Sequence, residues 1–432
     1  MSAMRAWSRA LCVALVLLTA ACTGSEPSSE TTSVAEVRIG LLAPLSGPDK
    51  AIGTDSERGA QLAAALLSGD EGEVSLAGIG SGGLSRLGRP KVTIISGNTG
   101  SDAGGDAAQG AREANRLVTA ERVVGLVGAY HADVTSSASR RSERLRVPFV
   151  NGDASADFLT ENGLDWFFRT GPTDQTLAES FFSTLGTVSG PGNQPVQKIG
   201  ILNVTDQQGK NAAELTQTLA EQGGFQVIEV ASFTPDQRDL AAPVTQLRAA
   251  APDAVFLITS DAGQTERALA AFTQLGYEPP GLLAFGAGFF ETPALQAAGD
   301  DSKGLLASAG WSREVAARNT AAKPVIELYE ETYGSPMSEV AAGSFTAVLT
   351  LAKAMDDAGS IEPDRVRTAL LGLDIPGRDT IMPWSGVRFD ATHQNTGAAG
   401  VVEQVDGADA LRVVFPDELA QEPATWPLST AR

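Results

Sequence analysis

Short apolar runs alternate along the chain with stretches whose apolar positions recur at helical spacing. The runs 37–43, 91–96, 123–127 and 147–150 read as buried strands, and helical patterns start between them near Asp55, Gly104 and Asp133. In the second helix Ala107, Ala111, Ala114 and Val118 share one face. A second series follows, with strands at 198–204, 225–231, 254–259 and 281–285 and helices at 209–222, 243–250 and 262–275. A long helical stretch, about 314–357, precedes a tail with strands at Val387 to Asp390 and Leu411 to Phe415. The alternation predicts an α/β fold with parallel sheets. Two series, in a chain too long for one typical core, predict two lobes with a ligand cleft between them. Residues 69–90 break the pattern and read as an exposed insertion or hairpin. In open parallel sheets ligands bind beyond the carboxyl ends of the strands. The loops there are the place to look for chemistry, beginning with VRIGLLAPLSGPDKAIGTDSERGAQL at 37–62.

The N-terminus changes the setting. Residues 1–21 read as a secretion signal: Arg5 and Arg9, then an apolar run from Leu11 to Leu18, too short to span a membrane. Leu18-Thr19-Ala20-Ala21-Cys22 resembles a lipobox, with Cys22 as the lipidation site. Thr19 stands where an aliphatic residue is commoner, and an ordinary cleaved signal with a chance cysteine is the alternative. The polar residues 22–35 read as a flexible tether. Cys12 leaves with the signal, so the mature domain is expected to have neither a disulfide nor a thiol nucleophile. The net charge of −20 argues against nucleic acid or anionic lipid as partner. The membrane contact expected is the acyl chain on Cys22.

Six runs in order resemble the solute-binding lipoproteins of branched-chain amino acid ABC importers, the Leu/Ile/Val-binding family. They are IGLLAPLSGP with RGAQLA, VVGLVGAYHADVTSSAS, RVPFVNGDASADFLT, WFFRTGPTD, PVTQLRAAAPDAVFL and GVRFDATHQNTGAAGVV. The resemblance implies the type I periplasmic-binding-protein fold: two doubly wound parallel-sheet lobes joined by three crossovers. Lobe 1 is then expected at 36–168 plus 312–358, and lobe 2 at 169–311 plus 359–432. It also implies a monomer with no cofactor and no catalysis. Such a protein closes on a small solute outside the cytoplasm and presents it to a permease driven by an ATPase.

The resemblance also places the site. Tyr130, His131, Ala132 and Asp133 fall in the loop that holds the solute's carboxylate, at a helix N-terminus where free amides attract an anion. Ala132 stands where the family usually has a serine, and Thr135 or water is the expected substitute. His131 is read as facing the cleft and Asp133 as an N-cap. Asp153, Ala154 and Ser155 form the second loop, with Ser155 at a matching hydroxyl position. Asp153 suits a cationic or hydroxylated solute, or is a turn aspartate. Ile52 replaces a pocket aromatic. Across the cleft Gln208 and Ser260 replace tyrosines, with Asp261 beside the latter. Ala287 replaces the acid that pairs with the α-ammonium, so Asp261 or Asp153 is the expected substitute. Phe289 or Phe290 is a stacking candidate, the other reading as core. The solute is thus a branched-chain amino acid or a related amide or carboxylate.

Other signals are weaker. Gly78, Gly80 and Gly83 spell GxGxxG, but Pro90 leaves no room for the helix that a dinucleotide site requires. His131 and His393 are the only histidines, and no zinc cluster or serine triad follows from them. His393 stands at a family glycine and implies a turn of unusual φ. The alternatives to an importer subunit are an extracellular sensor domain and an envelope hydrolase.

Overall fold

A computed structural model describes residues 34–69, 76, 79, 83–101, 104–190, 194–286, 299–407 and 410–428. Cys22, Ala287, Phe289 and Phe290 lie outside the described residues, as do Gly78 and Gly80.

The first sheet holds β1 (Glu36–Ala43), β2 (Lys91–Asn98), β3 (Gly125–Gly128), β4 (Phe149–Asn151) and β5 (Phe167–Arg169). Its order is β2-β1-β3-β4-β5, all parallel. The second holds β6 (Lys198–Val204), β7 (Gln226–Phe233), β8 (Ala254–Ile258), β9 (Leu282–Phe285), β10 (Leu306–Ala309), β11 (Val401–Gly407) and β12 (Ala410–Phe415). Its order is β7-β6-β8-β9-β10-β11-β12, parallel through β10 and then antiparallel. The parallel part of the second sheet repeats the topology of the first. Each sheet reverses its strand order once, between β1 and β3 and between β6 and β8, and the crevice of such a sheet opens there. The fold is the type I periplasmic-binding-protein fold.

The helices that bear on the site are α1 (Lys50–Ser68), α2 (Ala107–Thr119), α3 (Ala132–Leu145), α4 (Asp174–Thr187), α5 (Gln207–Gln222), α6 (Ala241–Ala250), α7 (Ala262–Gln274), α8 (Ala322–Tyr333), α9 (Glu339–Ala358) and α10 (Pro363–Leu371). The stretch 314–357 is not one helix: Gly334 takes φ +68 after α8, and the Ser338 hydroxyl caps α9 by accepting from Ala341 N–H. Gly128 ends β3 at φ +95, and a Cβ there would lie 2.2 Å from Leu42 O, so only glycine fits between the two strands at the switch point.

Three strands escape the apolar pattern. β5 ends in the buried Arg169, β10 is the small-residue run LASA with Ser308 buried, and β11 buries Glu403 and Gln404 within an otherwise apolar run. The tail strand at 387–390 reduces to Gly386–Val387 plus one bridge from Phe389 to Asn395. Residues 359–389, assigned from sequence to lobe 2, pack elsewhere. Val366, Leu370, Ile381, Trp384 and Phe389 share one apolar cluster with Val37, Ile39 and Leu41 of β1. Val366 and Leu370 recur at helical spacing in α10, but a helical period does not say which sheet the helix covers. Within 69–90 the described residues fit a hairpin and not an exposed insertion, with an antiparallel bridge between Leu76 and Ile79. Leu76, Ile79, Leu84 and Leu87 are buried in that same cluster, anchored by apolar residues spaced among glycines.

Candidate functional site

Three loops of the first lobe meet at the carboxyl ends of β1, β3 and β4. Asp49 precedes α1, and His131 precedes α3. Both occupy N-cap positions, yet among the described residues neither side chain caps its helix. They bind each other instead, His131 Nε2 to Asp49 Oδ2 at 2.9 Å. Two helix N-termini therefore converge at the switch point with first-turn amides uncapped by side chains. That arrangement favours an anionic ligand group. The His131 ring lies against Gly105, where a Cβ would come within 2.7 Å of it, and edge-on to Tyr130 at 5.1 Å. Its Nδ1 is buried with no hydrogen-bond partner among the described residues. Asp133, expected as the N-cap, is one residue inside α3 and exposed. The cap falls on His131 because the chain turns helical at Ala132. Thr135, the expected hydroxyl substitute, is fully buried and donates to Ala129 O and His131 O, which ties it to the backbone.

The β4 loop is held from beneath by Asn151. Its amide donates to Gly128 O at 2.7 Å and Ala129 O at 2.8 Å, and its oxygen accepts from Ala154 N–H at 3.0 Å. Asn151 thus locks the β3 and β4 loops together, and sequence gave no sign of it. Ser155 accepts the Asp174 N–H through its carbonyl at 2.8 Å and pairs with the Asp174 carboxyl through its hydroxyl. Burial raises the Asp174 pKa, with the Ser155 bond partly offsetting it.

Asp153 turns toward α9. Its Oδ2 accepts from Ser344 Oγ at 3.3 Å, and Ser344 shares a 2.7 Å bond with Ser56 of α1. Protein encloses the Asp153 carboxyl while leaving it partial solvent access, and this desolvation pushes its pKa up to about 7 despite the Ser344 bond. Glu339, at the start of α9, accepts the Gly310 N–H at 2.7 Å. Burial pushes it up to about 8, with the charges of Glu403 and Asp153 adding to the shift. Burial likewise pushes Glu403 up to about 7. Ile52 is buried in the first turn of α1.

The second lobe is arranged differently. Asp206 caps α5 through Gly209 N–H, and Asp261 caps α7 through Gln264 N–H, each at 2.8 Å. Asp261 is therefore committed to its own helix. Gln208 is exposed in the first turn of α5. Ser260 donates its N–H to Gln264 Oε1 at 2.8 Å, while its hydroxyl has no partner among the described residues. Two surface cavities lie off these loops. One of about 530 Å³ is lined by Asn319, Met382, Trp384 and Leu419, and one of about 280 Å³ by Asp133, Ser136 and Arg140. No group of three or more His, Cys, Asp or Glu among the described residues could hold a metal ion.

Two sheets of one topology, each with helix starts at its switch point, are the frame of a two-lobed solute-binding protein. The chain belongs to the periplasmic binding protein family, whose sequence profile matches residues 36–409. It is 29% identical over 399 residues to Leu/Ile/Val-binding protein homolog 8 of Brucella abortus, covering 90% of this chain and 93% of that one. Its fold is similar to a leucine-binding protein from Thermotoga maritima, with TM-score 0.71, 20% identity and coverage of 89% and 100%. It is also similar to a solute-binding protein of an ABC transporter from Rhodopseudomonas palustris solved with benzoate. There the TM-score is 0.68 and the identity 16%, with coverage of 90% and 97%.

Proposed function

We propose that the protein is the lipid-anchored, extracytoplasmic solute-binding subunit of an ABC importer, working as a monomer. It captures a small polar solute and delivers it to a permease. The solute is a branched-chain amino acid or a related carboxylate or amide. The convergence of α1 and α3, with N-caps paired to each other and amides left uncapped, carries this reading. A carboxylate seated there gains the amides and the positive helix ends. Closure of the second lobe then brings Ser260 and Gln208 over the solute. The relatives support the class: one is named for leucine, isoleucine and valine, and one was solved with an aromatic acid. Among the described residues no helix is long and apolar enough to cross a membrane, so anchorage rests on Cys22.

A thermal-shift screen against branched-chain amino acids, amides, ureas, polyamines and aromatic acids tests the proposal. A solute that binds only the folded protein stabilises it by about 2.7 kcal/mol at a hundredfold excess over its Kd. A shift with an amino acid or carboxylate is expected. Stabilisation by polyamines alone would contradict the assignment.

A further inference from the structure

Arg169, the last residue of β5, is completely buried, although arginine is rarely enclosed without partners. Burial lowers its pKa to about 10, with Asp157, Asp174 and Glu161 opposing the shift, so it is charged at neutral pH. Its donors go mainly to neutral oxygens of two functional regions. Nη1 bonds Ala156 O at 2.6 Å and Ala154 O at 3.3 Å, on either side of Ser155. Nη2 reaches Thr160 Oγ1 at 3.1 Å. Nε donates to Gln394 Oε1 at 2.6 Å, and Gln394 in turn donates to Gly171 O at 2.9 Å.

The backbone repeats the connection. Arg169 N–H bonds His393 O at 3.0 Å, and Asn395 N–H bonds Arg169 O at 2.9 Å. Gly171 lies on the chain between β5 and α4, where it leaves the first lobe. Residues 393–395 lie on the chain that returns to β11. A single planar guanidinium thus joins the Ser155 loop to two of the segments about which the lobes must turn. A lysine ammonium cannot serve these divergent acceptors together.

We propose that Arg169 is a positioning residue that couples the Ser155 loop to the hinge. Solute seated on that loop then biases the crossovers, and rotation of the lobes resets Ser155. The coupling rests on the proposed solute site.

Hydrogen exchange of the full protein and of the variants Arg169→Lys and Gln394→Leu tests it. Arg169→Lys is expected to speed exchange at least tenfold in 153–160 and 393–396, leaving β1, β2 and the second sheet unchanged. Gln394→Leu is expected to do so at 170–172 and 393–396 while 154–156 stays protected. A uniform rise across the molecule, or no local change, would overturn the coupling. If Arg169→Lys does not fold, the Gln394→Leu pattern decides alone. L-isoleucine and benzoate serve as solute probes. Whichever binds the wild type should bind each variant at least fivefold more weakly, and unchanged affinity in a locally loosened variant would overturn the coupling. If neither binds the wild type, the solute assignment fails while the exchange result still decides Arg169.

Discussion

The two lobes share a strand order but treat the helix starts at their switch points in opposite ways. In the second lobe Asp206 and Asp261 accept amides of their own helices, the usual use of an N-cap aspartate. In the first lobe Asp49 and His131 hold the same positions and spend their side chains on each other. The pairing removes the competitor for the amides of α1 and α3 and fixes the rim. The first lobe also has Asn151, Arg169 and the Asp153–Ser344–Ser56 chain beneath its loops. On the function proposed above, one half of the crevice is a prearranged receptor for an anionic group, and the other is a set of self-satisfied helices that close over it. Prearrangement lowers the ordering cost of binding.

The comparison can be broken most forcefully at Asn151. Asn151→Ala should cost about 2 kcal/mol, because it removes the side-chain partner of Gly128 O and of Ala154 N–H while Ala129 O keeps the Thr135 hydroxyl, and should abolish solute binding. Urea unfolding and calorimetry check both. The carboxyl groups give the next effect. Asp153, Glu339 and Glu403 have folded pKa values of about 7, 8 and 7, above those of an unfolded chain. The folded protein therefore holds protons that the unfolded chain has released. Their stabilising effect is complete below the unfolded values and is lost as pH rises toward 8, by at most about 1.4 kcal/mol per pH unit and group. Melting temperatures should fall from pH 5.5 to 8.5, and Glu403→Gln should flatten that fall. Asp261→Ala should cost about 1 kcal/mol of stability by loss of its cap, with affinity nearly unchanged. Asp49→Asn should cost only about 0.5 kcal/mol, since the pair is partly exposed, yet weaken solute binding several-fold. If Asp261→Ala weakens binding more than Asp49→Asn, the division of labour between the lobes is wrong.

The architecture was legible because most strands are largely apolar runs, such as AVFLI at 254–258 and LLAF at 282–285, separated by helical periods. Sequence failed where burial and polarity disagree. β11 places Glu403 and Gln404 at buried positions, and the FFR of β5 ends in a buried arginine. The site loops were legible from their strand-end placement, whereas the partners within them were not. His131 and Asp49 lie 82 residues apart, and Arg169 and Gln394 225. No local pattern reports such pairs. His393 shows the opposite case. Its place at a family glycine implied an unusual turn, and it has φ +65 with its ring stacked on Phe168 at 4.4 Å.

The central claim is that the first lobe reads an anionic group at the α3 N-terminus. Isothermal titration of the wild-type protein with two matched pairs, L-isoleucine with its amide and benzoate with benzamide, tests it most directly. At least one carboxylate should bind at least tenfold more tightly than its amide. Equal or tighter binding of the amide in both pairs would contradict the claim.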